Sequence, residues 1–110
     1  MYNKYHAKKT WMKGRVYDSK KEANRAFELE LLAKYGKIQN LQKQVPFVLQ
    51  EGYVNKHGKK IRPITYIADF TYECDGKLIV EDTKGVETEV FKIKRKMLEY
   101  KYPDIEFRVI

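Results

Sequence analysis

The chain has 110 residues, of which 43% are hydrophobic and 14% aromatic, and this content is typical of one folded domain. Lysine and arginine together number 23 against 15 aspartate and glutamate residues, which gives a net charge of +8. The single cysteine, Cys74, excludes an intrachain disulfide and a multi-thiolate zinc site. We therefore expect a cytoplasmic protein whose charge favours a polyanionic partner, most simply nucleic acid. We expect no signal peptide, because no apolar stretch follows the first residues, and no membrane span, because no apolar run approaches about 18 residues.

The first 17 residues are basic and aromatic and show neither helical nor strand periodicity. We interpret residues 1–17 as an arm that could end in a short strand, and residues 18–110 as the main domain. The arm's aromatic side chains could stack on bases or pack against the domain or a second subunit.

A helix is predicted over about residues 19–35. Ser19 is a favourable N-cap, and Glu22 three residues later completes a capping-box pattern. Gly36 supplies the left-handed residue that often ends a helix. Two adjacent stripes, mostly of apolar or small residues, run along this helix: Ala23, Ala26, Phe27, Glu30 and Leu31 in one, and Glu22, Ala26, Leu29 and Ala33 in the other.

Three strands are predicted next. Val45, Phe47 and Leu49 alternate with other residues, and Pro46 between them favours an edge strand. Residues 55–58 are typical of a turn, and residues 61–73 of a long strand. The pair Asp75-Gly76 predicts a tight hairpin, after which residues 78–84 form the third strand.

The last two elements are a helix over residues 87–101 and a strand over residues 105–109. We expect the helix to bury Val90, Ile93, Met97 and Tyr100, joined by Phe91 and Leu98, and to expose Lys92, Arg95, Lys96 and Glu99. The helix then acts as a crossover that returns the final strand parallel to its neighbour. The order α-β-β-β-α-β predicts an α/β fold with a mixed sheet flanked by helices.

Carboxylates interrupt strands that should be apolar. Asp69 lies within the long predicted strand, and Asp82 and Lys84 end the next one with their side chains on the same face. A hairpin folded at Asp75-Gly76 places Asp82 beside Asp69. Two adjacent carboxylates repel each other unless a cation lies between them, and that cation is either Lys84 or a divalent metal. Oxygen ligands favour Mg²⁺, or Mn²⁺, over zinc. The expected chemistry is metal-assisted hydrolysis of a phosphodiester.

This arrangement resembles the PD-(D/E)XK nuclease superfamily. Ala68-Asp69 corresponds to the first half of its motif, with alanine in place of proline, and Asp82-Thr83-Lys84 to the second half. Residues 17–23, 65–70, 81–85 and 100–105 look like a family of small phage and prophage proteins that is assigned to this superfamily, and the resemblance covers about residues 14–110. It implies a single restriction-endonuclease-like domain. It also implies that Glu22, Asp69, Asp82 and the Thr83 carbonyl bind metal and that Lys84 is the catalytic lysine.

Each of these residues also has a structural interpretation. Glu22 could serve only the helix cap, Asp69 could be a solvated strand residue, and Asp82 and Lys84 could form a plain charge pair. Glu81 competes with Asp82 for the site but should face the other way. The residues expected to contact nucleic acid are Arg15, Lys20, Lys21, Gln44, Lys92, Arg95 and Lys96.

The function that these features predict is a Mg²⁺-dependent DNA endonuclease of phage or prophage origin. Its substrate is expected to be branched DNA such as a Holliday junction, and its state a homodimer. Three alternatives remain open at this point: an inactive nucleic-acid-binding module of the same fold, a nuclease acting on linear DNA in phage genome processing, and a basic protein associated with RNA or ribosomes.

Overall fold

The fold is an α/β domain built on a mixed four-stranded sheet. The computed structural model describes residues 10–12, 15–17 and 19–110, and side chains from Ser19 onward. In chain order the elements are β1 (Thr10–Met12), β2 (Arg15–Tyr17), α1 (Lys20–Lys34), β3 (Gln39–Gln50), β4 (Tyr53–Val54), β5 (Lys60–Ile61), β6 (Ile64–Cys74), β7 (Lys77–Asp82), α2 (Glu89–Lys101) and β8 (Glu106–Val109). The predicted class and the order of the main elements are confirmed.

The sheet has the strand order β3-β6-β7-β8, in which only β7 and β8 are parallel. Helix α2 makes the crossover between those two strands, as predicted, and the strand with Pro46 lies at the edge. Asp75 and Gly76 have φ values of 52° and 77°, the paired positive angles of a tight hairpin turn. This turn fixes the pairing of β6 with β7.

The connection between β3 and β6 is longer than expected. The predicted turn at residues 55–58 lies at the tip of a small separate hairpin formed by β4 and β5. The long strand predicted over residues 61–73 is therefore divided, and the sheet strand begins only at Ile64, after Pro63. Proline has no N–H to donate to a strand ladder, so a break at this point is expected on physical grounds.

Two hydrophobic cores lie on opposite faces of the sheet. The core under α1 contains Ala23, Ala26, Leu29, Ile38, Phe70, Tyr72 and Ile79. The core under α2 contains Tyr66, Ala68, Val80, Phe91, Leu98 and Phe107. Consecutive residues Ile79 and Val80 belong to different cores, as the alternation of side chains in a strand requires.

Strand β6 changes faces in its middle. Ala68 and Phe70 are two residues apart, which should place them on one face, yet they belong to opposite cores. The residue between them is Asp69. Its neighbour on β3 is Gln44, whose φ of 52° lies in the left-handed region. The sheet is thus irregular at Asp69, the residue at which the buried side chains of β6 switch from one face of the sheet to the other.

Helix α2 buries only part of the face predicted for it. Phe91 and Leu98 are buried, whereas Val90, Ile93 and Tyr100 are 61%, 56% and 83% exposed. The rings of Phe107 and Tyr66 lie against Phe91 and set which side of the helix faces the sheet. The prediction that Arg95 is exposed is also wrong. This residue is half-buried, with its guanidinium 4.6 Å from the centre of the Phe107 ring.

The predicted N-terminal arm is described only in part. Strands β1 and β2 pair antiparallel and lie next to α1, so this part of the arm is a small hairpin. Residues 1–9, 13, 14 and 18 lie outside the described residues. Within the described ranges, no helix is long and apolar enough to span a membrane.

Candidate functional site

Asp69 and Asp82 are neighbours across strands β6 and β7. The pairing runs from Cys74 opposite Lys77 to Phe70 opposite Glu81, and one further step in this register pairs Asp69 with Asp82. This is the position that the hairpin predicted. On β3, the register places Gln44 opposite Asp69. A row of Gln44, Asp69 and Asp82 therefore crosses the sheet at the end of β7.

The Asp69 carboxylate is held by donors from two sides. Its Oδ2 atom accepts hydrogen bonds from the backbone N and the Oγ1 atom of Thr83, each at 2.8 Å. Its Oδ1 atom accepts a longer bond of 3.4 Å from Gln44 Nε2. These donors fix the orientation of a half-buried carboxylate. Thr83 thus contributes its N–H and hydroxyl to the site, and metal binding by its carbonyl stays a prediction.

Asp82 is buried beside a tyrosine hydroxyl. Tyr66 Oη donates to Asp82 Oδ2 at 2.5 Å, and the Tyr66 ring packs against Phe107 with centroids 5.8 Å apart. Burial is the main cause that raises the pKa of Asp82 to about 6, and the negative charge of Asp69 raises it further. The Tyr66 hydrogen bond and the charge of Lys84 act in the opposite direction. Burial next to the Asp69 carboxylate thus disfavours the ionised form of Asp82.

Glu22 lies at the start of α1 and faces the same row of residues. Ser19 caps the helix by accepting a hydrogen bond from Glu22 N at 3.1 Å, so the predicted cap residue is confirmed. The Glu22 carboxylate is itself buried and accepts a bond of 2.8 Å from Gln44 Nε2. Gln44 therefore connects Glu22 to Asp69. We call Glu22, Asp69 and Asp82 the carboxylate site.

Lys84 lies on the α2 side of the sheet, as Asp82 does. Its Nζ atom is 5.2 Å from the centre of the Phe91 ring, and the side chain is exposed. Its charge lowers the pKa of Asp82, which indicates that the two groups are close enough to interact. The ammonium group therefore lies on the same side of the sheet as Asp82 and is open to solvent.

Glu81 faces away from the site, as predicted. It is fully buried, and Arg25 donates to it from Nε at 2.7 Å and from a terminal nitrogen at 2.6 Å. Tyr72 Oη also donates to Glu81, and Arg108 lies 3.5 Å from the same hydroxyl. Glu81 thus belongs to an ion pair on the α1 side of the sheet.

Residues 2–110 match the model of the protein family DUF1064, whose description is "Protein of unknown function". The chain belongs to the DUF1064 family. Neither a search of curated proteins nor a search of solved structures finds a match.

The donor atoms of this DUF1064 chain suit a hard divalent cation. Two neighbouring carboxylates supply oxygen ligands of the kind that Mg²⁺ and Mn²⁺ prefer, and no sulfur or imidazole lies among them. Glu22 is separated from these two carboxylates by the Gln44 amide, which contacts both Glu22 and Asp69. Among residues 19–110, no three acidic, histidine or cysteine side chains are close enough together to form a complete metal-binding group. A cation bound by all three acids would therefore require Gln44 to move.

The basic residues expected to contact nucleic acid lie on β2 and on both helices. Lys20 and Lys21 are exposed at the start of α1, and Lys92 and Lys96 are exposed on α2. Lys92 lies 3.5 Å from Glu89, and Arg95 lies 3.3 Å from Glu99. Arg15 belongs to β2, and its side chain is outside the described part of the chain.

Sequence reasoning missed three contacts in this DUF1064 chain. They are the Tyr66–Asp82 hydrogen bond, the Arg25–Glu81 ion pair and the bridge that Gln44 forms between two carboxylates. A tyrosine in a strand is usually interpreted as part of the hydrophobic core, so its hydrogen bond to Asp82 was not predicted. Gln44 was predicted only as a contact to nucleic acid. The hairpin register gives one signal, since it already places residue 81 on the face opposite residue 82.

Proposed function

We propose that this protein is a Mg²⁺-dependent DNA endonuclease that hydrolyses phosphodiester bonds. The observation that carries the proposal is the placement of Asp69 beside Asp82 at the end of β7, with Lys84 on the same side of the sheet. Two neighbouring carboxylates, of which Asp82 is buried and Asp69 half-buried, repel each other and destabilise a protein, so their presence needs a compensating role. Binding of a divalent cation is such a role, and it fits the resemblance to PD-(D/E)XK nucleases.

The proposed roles follow from the positions of the side chains. Asp69 and Asp82 would hold the cation, with Thr83 beside them and Glu22 as a further ligand. When bound, Mg²⁺ polarises a phosphate and lowers the pKa of a water molecule. The exposed Lys84 ammonium would orient the attacking water and offset the charge that develops on the phosphate. The Thr83 donors keep the Asp69 carboxylate in a fixed orientation.

DNA is the substrate that the charge of the chain supports. A net charge of +8 attracts the phosphate backbone, and both helices carry exposed lysines. We propose branched DNA as the preferred form, because a domain of this size has little surface for reading a long sequence. Cleavage of a junction needs two cuts, which favours a homodimer. We place this activity in the bacterial cytoplasm during phage or prophage recombination.

The test is a cleavage assay on a four-way junction and on a linear duplex of matched sequence. Each substrate is incubated in Mg²⁺ and in EDTA with the wild type, Lys84→Ala and Lys77→Ala. Lys77 is an exposed lysine at the opposite end of β7, so it controls for loss of one positive charge. We expect Mg²⁺-dependent cleavage of the junction by the wild type and by Lys77→Ala, and its loss in Lys84→Ala. Equal cleavage of both substrates would retain the nuclease and reject the preference for branches.

A second candidate function is an inactive nucleic-acid-binding module. The observation that favours it is the Gln44 amide, which separates Glu22 from Asp69 in this structure. The same assay, extended to Mn²⁺ and joined by a measurement of DNA binding at several salt concentrations, distinguishes the two functions. Absence of cleavage in both Mg²⁺ and Mn²⁺, together with tight and salt-sensitive binding of DNA, would support the binding module and contradict the nuclease.

A further inference from the structure

Gln44 has an unfavourable backbone conformation in the middle of a strand. Its φ of 52° lies in the left-handed region, which side chains other than glycine, asparagine and aspartate seldom adopt. Strand β3 continues on both sides, with Lys43 paired to Phe70 and Val45 paired to Ala68. Such backbone outliers occur preferentially at functional sites, where the surrounding structure maintains them.

The Gln44 side chain occupies the space between two carboxylates of the site. Its Nε2 atom lies 2.8 Å from Glu22 Oε1 and 3.4 Å from Asp69 Oδ1. The NH₂ group of an amide has two donor hydrogens and no lone pair that binds a metal, whereas its carbonyl oxygen is a hard ligand. The side chain therefore presents its donor end to two acceptors, as a cation would.

We propose that Gln44 controls access of a divalent cation to the carboxylate site. In the metal-free protein, the NH₂ group of its amide links Glu22 to Asp69. With a cation bound, Gln44 would present its amide carbonyl oxygen in place of the NH₂ group and would serve as a further ligand. This inference rests on the proposed metal-dependent function and adds a residue that the resemblance does not assign to the metal. The left-handed backbone is explained by the same role, because it directs the side chain into the site.

The direct test is an NMR titration of the isotopically labelled wild-type protein with Mg²⁺ alone. The chain has four glutamines, and the side-chain signals of Gln44 are identified by their loss in Gln44→Met. Gln39 is an internal control, because its amide donates to Gly36 O at 3.1 Å, in the loop after α1. The backbone N–H of Thr83 reports on Asp69, to which it donates.

We expect the Gln44 side-chain signals and the Thr83 N–H signal to shift with one shared midpoint while the Gln39 signals stay in place. If Thr83 shifts and Gln44 does not, the inference about Gln44 is wrong and the metal site stands. If neither signal shifts at saturating Mg²⁺, both the inference and the metal-dependent function are contradicted.

A second test compares two variants that add the same charge. Gln44→Glu puts a carboxylate at the proposed ligand position, and Gln42→Glu puts one on the same strand at an exposed position two residues earlier. By calorimetry with Mn²⁺, we expect Gln44→Glu to bind about tenfold more tightly than the wild type and Gln42→Glu to change little. An equal gain in Mn²⁺ affinity in both variants would show that any added negative charge has this effect, and it would overturn the proposal.

Discussion

Arg25 and Glu81 form an ion pair with two hydrogen bonds, at 2.7 and 2.6 Å, that joins α1 to β7. Both residues lie close in the chain to members of the carboxylate site. Arg25 follows Glu22 by three residues on α1, and Glu81 directly precedes Asp82. The ion pair on one face of the sheet therefore fixes the separation of the helix and strand that carry these acids.

Removal of Arg25 should destabilise the protein strongly. Arg25→Ala leaves the Glu81 carboxylate buried without its cation, and such losses cost about 3 to 5 kcal/mol. The matched control is Glu28→Ala, which removes the exposed partner that Arg25 also contacts, at 2.9 Å. The control should cost less than about 1 kcal/mol. Urea unfolding measures both values, and similar losses in the two variants would contradict the importance of the buried pair.

The Tyr72 hydroxyl should make stability depend on alkaline pH. Burial and the hydrogen bond to Glu81 raise the pKa of Tyr72 from 10.0 to about 12. The folded protein thus holds this proton more tightly than the unfolded chain does, so the stabilisation is complete below pH 10 and is lost as pH rises through about 12. In Tyr72→Phe, the free energy of unfolding should fall less steeply over this interval. Tyr100→Phe, at an exposed position, should behave as the wild type does.

The pairing of Asp69 with Asp82 could be predicted because local chemistry determines it. The Asp75-Gly76 turn adopts the backbone angles that its residues favour, and a two-residue turn fixes the register of both strands. The edge position of the strand with Pro46 follows in the same way from the missing N–H of proline.

The remaining features depend on tertiary contacts that no local pattern specifies. In α2, the stripe of Val90 and Ile93 and the stripe of Phe91 and Leu98 both satisfy helical periodicity. Aromatic partners on the sheet decide which stripe is buried. The left-handed angle of Gln44 is equally invisible in the sequence, because glutamine has no preference for it. The fold class was therefore predictable, whereas the bridge across the carboxylate site was not.

Capping of α1 by Ser19 and metal binding by Glu22 can be tested separately by substitution. Ser19→Ala removes the cap that accepts Glu22 N, which should cost about 1 kcal/mol of stability and leave the affinity for Mn²⁺ unchanged. Glu22→Gln removes a carboxylate beside Gln44 and should weaken Mn²⁺ binding by about tenfold. Calorimetry with Mn²⁺ and thermal unfolding in EDTA provide the two readouts. Unchanged Mn²⁺ affinity in Glu22→Gln would restrict Glu22 to a structural role.

Replacement of Asp82 by asparagine should abolish cleavage and raise the stability of the protein. Burial raises the pKa of Asp82 from 3.8 to about 6, so the folded protein holds this proton more tightly than the unfolded chain does. Its contribution to stability is complete below about pH 4 and is lost as pH rises through about 6. Asp82→Asn keeps a neutral group at every pH. In EDTA at pH 7 the variant should therefore be more stable than the wild type, by an amount on the order of 2 kcal/mol.

The same variant should fail to cleave DNA and yet bind it at least as tightly as the wild type, because it removes a negative charge that repels phosphate. Asp75→Asn, in the hairpin turn, is the control for loss of one carboxylate and should change neither cleavage nor the dependence of stability on pH. Thermal unfolding from pH 4 to pH 8 and the junction assay measure the two effects. Normal cleavage by Asp82→Asn would remove Asp82 from the proposed site. A lower stability than the wild type at pH 7 would show that its charge is balanced by groups other than a metal ion.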